Sequence, residues 1–196
     1  METQNLVGEV APVEILRRLQ TLEDRIAQLG DDSVSEVPDP NGLSLVVFDS
    51  HLDRLLAAFV IATGAAASGM TVSMFFTFWA TAALRKGAGQ GKKTLVERAF
   101  GWMLPHSAHG TKLSRMDMCG LGRTLMQREM SKKNIASLQD LMKTASELGV
   151  QINVCEMSMK LMGIHRDELI EYPNLNYCGV ASFVETTANV NTTLFI

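Results

Sequence analysis

Apolar residues in this chain fall into short continuous runs separated by stretches of helical spacing, and that alternation sets the expected architecture. Leu43 to Phe48 is an apolar run broken only by Ser44, the pattern of a strand covered on both faces in a parallel sheet. Ser50 follows at once, with Asp53 three residues later. This approximate capping box predicts a helix running to about Ala67. Met70 to Phe76 has the β-branched and aromatic bias of a second strand, so the three elements make a βαβ unit. Phe78 to Leu84, Leu125 to Ser131 and Leu138 to Leu148 read as helices, the last closed by Gly149. Between them, Leu95 to Met103 reads as a helix ended by Pro105. Val150 to Val154 is a third strand, Glu156 to Met162 a helical turn or two, Val180 to Thr187 a further helix and Thr192 to Ile196 a last strand. Strands and helices in this order predict an α/β fold: a single open, mostly parallel sheet with flanking helices, its C-terminal strand inside the fold.

Ahead of that domain, residues 11 to 29 carry Leu16, Leu19, Leu22, Ile26 and Leu29 in a stripe with charges between. The spacing predicts an N-terminal amphipathic helix, either a short coiled-coil seam or a helix lying on its own domain. Acids, serines, prolines and glycines then replace apolar residues, which is linker composition. The expected organisation is a helix over 1–30, a linker over 31–42 and an α/β domain over 43–196.

Charge changes the picture in three places. No charged residue occurs between Arg54 and Arg85, and such a run could span a bilayer. Gly64, Gly69 and recurring Ser and Thr break it up, so it reads as helix, turn, buried strand and helix, and no membrane is expected; membrane attachment through residues 55–84 is the alternative. The net charge of -3 and pI near 5.8 argue against general nucleic-acid binding, which needs a basic excess. A local basic excess does occur from Arg85 to Arg115, where Glu97 is the single acid. It fits a solvated face or a site for an anionic species. The start METQNLVGEV lacks the basic and apolar regions of a signal peptide, so a cytoplasmic location is expected.

Ligands of open α/β sheets lie beyond the carboxyl ends of the strands, which directs attention to Asp49, Ser50, Thr77 and Cys155. Cys155 ends one strand and opens a helical segment. There the helix N–H groups and dipole favour a thiolate, and Glu156 opposes it. Cys119 lies in the glycine-flanked segment Met-Asp-Met-Cys-Gly-Leu-Gly and reads as a second sulfur-handling thiol or a buried loop cysteine. Cys178 reads as structural. His106 and His109 have no metal-ligand spacing, and Met157, Met159 and Met162 read as core filling rather than as copper ligands. Gly87 to Thr94 lacks the hydroxyl a phosphate loop needs after its lysine and follows a helix. No metal and no cofactor are expected.

The stretches LSLVVFDSHLDRLLAAFVIATGAAASGMTVSMFFTFWATAALRK, SRMDMCGLG, INVCEMSMKLMGI and VNTTLFI resemble the larger branch of the DsrE/DsrF-like sulfur-relay family. FFTFW at Phe75 to Trp79 and CEMSMKLMGI at Cys155 to Ile164 are the most specific pieces. The resemblance implies a small parallel α/β protein that assembles into homo-oligomers and passes sulfane sulfur along cysteine persulfides, with Cys155 as the carrier. Implied partners are sulfur-relay or sulfur-oxidation proteins and a sulfane sulfur or thiosulfate-type donor. A non-catalytic scaffold with incidental thiols is the competing expectation.

Overall fold

The computed structural model describes residues 39–86, 111–115 and 117–196, with Arg18 and Gln20, and leaves the Cys119 side chain outside that description. The five stripe residues of the N-terminal segment, where only Arg18 and Gln20 are described and helical, the helix expected at 95–103, His106, His109, the phosphate-loop lookalike and most of the basic segment lie outside the described residues. The chain divides into two compact units, Met1–Val37 and Pro38–Ile196. The sheet belongs to the second.

Five described strands form one parallel sheet. In chain order the elements are β1 (Asp39–Val47), α1 (Leu52–Ala67), β2 (Thr71–Phe76), α2 (Trp79–Ala83), α3 (Leu121–Lys132), α4 (Leu138–Glu147), β3 (Gln151–Cys155), α5 (Glu156–Met162), β4 (Leu175–Cys178), α6 (Val180–Ala188) and β5 (Val190–Phe195), with 3₁₀ turns at Met118–Gly120 and Arg166–Glu168. The strands lie side by side in the order β4-β3-β2-β1-β5.

Register sorts the side chains into two unlike faces, because successive residues of a strand point to opposite sides. Leu45 pairs with Met74, Val47 with Phe76 and Phe76 with Val154. These residues join Leu43, Val72 and Ile152 in one buried apolar face. Leu55, Phe59 and Ala62 of α1 and Leu141 and Ala145 of α4 complete that core. On the opposite face, buried Ser44, Ser73 and Asn153 alternate with Val46, Phe75, Cys155 and Cys178. Asn153 donates from Nδ2 to Ser73 Oγ at 2.8 Å, so these two are enclosed as a pair, whereas the buried Ser44 Oγ has no hydrogen-bond partner among the described residues.

The long uncharged run resolves into α1, β2 and α2. Among the described residues no helix is long and apolar enough to cross a membrane. Its sequel, Arg85, is buried and pairs through Nη2 with Glu168 Oε2 at 2.8 Å, and Lys86 N donates to Glu168 O. This ties the end of α2 to the second 3₁₀ turn. Met159 and Met162 fill the core, whereas Met157 is exposed.

The structure departs from the sequence expectation at four elements. β1 begins at Asp39, inside the stretch of linker composition, and Gly42 lets it approach β5: a Cβ there would lie 2.5 Å from Val190 Cγ1. His51, not Ser50, precedes α1, without a side-chain cap bond, because Asp53 accepts from Ser114 instead. β4 was not expected. It is four residues long and half asparagine and tyrosine in its centre, so it has no apolar run to announce it. β5 lies at the sheet edge beside β1, not inside the fold. Its apolar residues suggested burial, but no described strand lies beyond it, and Leu194 and Phe195 are 39% and 71% exposed.

That asymmetry between core and edge can be measured by urea unfolding. Phe59→Ala should lower stability by about 3–5 kcal/mol through the cavity it leaves, whereas Phe195→Ala should change it by less than about 0.5 kcal/mol. Equal effects would show that β5 is covered in the folded chain.

Candidate functional site

At Cys155 the β3 ladder ends and the backbone turns directly into α5. Cys155 occupies the N-cap with extended dihedrals (φ -67°, ψ 111°), the conformation in which a cap side chain faces the N–H groups of the second and third helical residues. Those residues are Met157 and Ser158. With the neutral thiol no closed cap hydrogen bond forms. Burial pushes the thiol up, but hydroxyl and backbone N–H of Ser158, the Thr77 hydroxyl and the Met157 N–H together outweigh it, so the pKa is lowered. The cause is donors that favour the charged sulfur over the neutral one.

Ser158 is the hub of this arrangement. Buried in α5, its Oγ lies 3.1 Å from Thr77 Oγ1 and accepts from Phe78 N at 2.9 Å. The contact holds Phe78 at φ 44°, ψ -123°, a backbone region that suits glycine and costs a side chain of order 1–3 kcal/mol. The β2–α2 turn and the β3–α5 turn are thus clamped together through one hydroxyl. Trp79, one residue after Phe78, and Met157, one residue before Ser158, are exposed at 39% and 49%.

Glu156 points away from the thiol it follows: its Oε1 accepts from Arg166 Nη2 at 2.6 Å. Arg166 also stacks over Tyr177 of β4, 4.2 Å from the ring centroid. Cys178 closes β4 as the register partner of Cys155. Burial raises its thiol, and the negative charges of Cys155 and Glu156 raise it further.

Other expected site residues are placed elsewhere on the carboxyl rim. Asp49 accepts from the backbone N and ring Nδ1 of His51 at the end of β1. The Cys119 backbone forms part of the 3₁₀ turn Met118–Gly120, whose Gly120 N donates to Asp117. The preceding segment is pinned to the start of α1, with Leu52 N donating to Lys112 O at 2.8 Å. Thr77 and Cys155 are therefore brought together, and Asp49 belongs to a separate group. Ser158 and the position of Cys178 were not found from sequence. The one available signal for Ser158 was its place three residues after an N-cap, where a cap sulfur meets a backbone donor.

Cys155 is fully enclosed (0% exposed) in a small cluster with Phe75 and Phe183. Those two rings stack with centroids 4.3 Å apart, and Phe183 is the buried residue of α6. Phe183→Ala should therefore speed alkylation of Cys155 by iodoacetamide at fixed pH while leaving the pH midpoint of the reaction in place. An unchanged rate, followed by mass spectrometry of the Cys155 peptide, would show that access runs by another route.

Among the described residues no three His, Cys, Asp or Glu side chains gather as a metal-ligating group. Comparison with known proteins identifies relatives that match along nearly their whole length. The chain is 36% identical over 154 residues to the uncharacterized protein YrkE of Bacillus subtilis, covering 78% of this chain and 95% of that one. It is 27% identical over 158 residues to a protein of Allochromatium vinosum named sulfur carrier protein DsrE2, covering 79% and 97%. The crystal structure of the YchN protein from E. coli aligns with a TM-score of 0.46 at 10% identity, over 79% of this chain and 98% of that chain. A family model matches residues 40–195, the whole of the sheet and the Cys155 site, and the chain belongs to the DsrE/DsrF/DrsH-like family.

Proposed function

We propose that the chain is a cytoplasmic sulfur carrier that holds sulfane sulfur as a persulfide on Cys155 and hands it to a partner thiol. The observation that carries this reading is the place of Cys155 at the N-cap of α5, where the linked Ser158 and Thr77 hydroxyls and the helix N–H groups lower the thiol pKa despite burial. The thiolate is the nucleophile in sulfur exchange. Family membership and the name of the A. vinosum relative support it.

In the loading step the Cys155 thiolate attacks the outer sulfur of a donor R–S–SH. A bond forms between the two sulfurs, the donor S–S bond breaks, and R–S⁻ leaves. With thiosulfate the leaving group is sulfite. In unloading, an acceptor thiolate attacks the outer sulfur of Cys155–S–SH, takes it with its proton, and returns the Cys155 thiolate to its donors. Neither step requires a cofactor. Trp79 and Met157, exposed beside the site, offer apolar contact to sulfur-relay or sulfur-oxidation proteins. Exposed Val180 and Val184 of α6 and Phe195 of β5 support assembly with further copies of the chain. Cys119 enters as a second thiol that assists transfer.

Incubating the reduced protein with polysulfide or thiosulfate should add sulfur first to the Cys155 peptide, as read by mass spectrometry after alkylation. Cys155→Ser should abolish loading there, and Cys119→Ser should leave loading intact and slow transfer to an acceptor. Loading that persists in Cys155→Ser would sink the assignment, and no loading on any cysteine would favour the scaffold reading.

The pH dependence has a definite sign. Because the donors favour the charged form, the rate of Cys155 alkylation should rise with a midpoint below that of a free thiol, and Ser158→Ala and Thr77→Val should each move that midpoint up. A midpoint that stays put in both variants would show that the hydroxyls do not stabilise the thiolate.

A further inference from the structure

Cys155 and Cys178 end neighbouring parallel strands as register partners. Partnered residues project from the same face, and neighbouring strands lie about 4.8 Å apart. That spacing falls within the Cα window of roughly 4.4–6.8 Å over which two cysteines can be bridged. Both thiols belong to one small cluster under Phe183. Their states differ: the donors around Cys155 favour its thiolate, whereas burial and the charges of Cys155 and Glu156 keep Cys178 protonated.

Cys155 also has distinct flanks. Thr77 follows the last β2–β3 register pair, Phe76 with Val154, so it flanks Cys155 on the β2 side while Cys178 flanks it on the β4 side. Displacement at a sulfur proceeds through attack on one side and departure on the other. A nucleophile arriving from Cys178 would drive a leaving group toward the Thr77 and Ser158 hydroxyls, the donors that stabilise negative charge.

We propose that Cys178 is the resolving thiol of this site: it closes a disulfide onto persulfidated Cys155 and expels the sulfane sulfur as hydrosulfide. The step rests on the sulfur-carrier reading and deepens it by adding a route of release that needs no acceptor protein. The outer sulfur of Cys155–S–S⁻ takes the Cys178 proton, and the Cys178 thiolate so formed displaces HS⁻ from the Cys155 sulfur to give the Cys155–Cys178 disulfide. One S–S bond forms and one breaks, the outer sulfur gains the electron pair of the broken bond, and the Cys178 proton leaves on it. The two cysteine sulfurs are oxidised and the sulfane sulfur is reduced, so no outside oxidant is consumed.

The fold suits this closure. β4 is an edge strand of four residues and runs into Gly179, so Cys178 can shift toward Cys155 without disturbing a second neighbour. Side chains that stand parallel at strand spacing have Cβ atoms slightly beyond the usual separation of about 3.5–4.5 Å, and a strained disulfide is easily reduced. Cys178 is half-buried, which gives a small thiol access to reset the pair.

The test uses the full chain, reduced, loaded with sodium polysulfide and desalted. Hydrosulfide is followed with monobromobimane and the peptides by mass spectrometry. The intact protein should release hydrosulfide as a peptide linked through Cys155 and Cys178 accumulates. Cys178→Ser and Cys178→Ala should load to the same extent and release at least about tenfold more slowly, since the internal thiol is gone. Release as fast as wild type in both variants, or a link from Cys155 to Cys119 instead, would overturn the proposal.

A second arm treats the unloaded protein with diamide, a two-electron thiol oxidant, and looks for the same link. Absence of that link overturns the pairing whatever the loading result. A link formed in a protein whose Cys155 never takes up sulfane sulfur overturns the sulfur-carrier reading instead, and the release step with it.

Discussion

At one residue the hydrogen-bond ladder of a strand has ended and that of a helix has not begun, and the site is built on that gap. The first N–H groups of a helix have no partner within it, so something must face them. In this chain it is the Cys155 side chain at the N-cap of α5. A sulfur there is stabilised when charged and little when neutral, which turns a requirement of helix geometry into a chemical bias. The Ser158 hydroxyl extends that bias and carries it to the neighbouring turn, where it satisfies Phe78 N. Removing Ser158 would therefore loosen a strained backbone and weaken a thiolate together.

The parallel sheet supplies the rest by arithmetic. With every described strand running the same way, all carboxyl ends open on one rim, and β2, β3 and β4 end there as neighbours. The core face is filled by α1 and α4. On the opposite face Phe183 is the buried contribution of α6, and the site lies there. Stability and reactivity are thus assigned to opposite sides of the same strands.

Much of this was legible in the chain. The apolar runs gave β1, β2 and β3, and Cys155 stood out because a strand pattern stops there and a helical one starts. Gly149, at φ 77°, ends α4 as its position implied. What could not be read depends on register between distant segments. Ser158 and Thr77 are eighty-one positions apart, and nothing local in either announces the other. β4 is too short and polar to be seen as a strand, so the register pairing of Cys178 with Cys155 could not be read from sequence. β5 was misplaced for the converse reason: Leu194 and Phe195 look like core residues, and hydrophobicity alone does not distinguish a central strand from an edge.

The alternation of the two faces also guards against error. Strand side chains change face at every residue, so a slip of one position exchanges the faces completely. In β4 a slip would set Tyr177 beside Cys155 and turn Cys178 toward the core side. In β3 it would press Asn153 into the apolar layer and pull Ile152 and Val154 out of it. The oily layer thus proofreads the thiol pair against a slip of one, because parting the two sulfurs that way would also turn the core out of its layer.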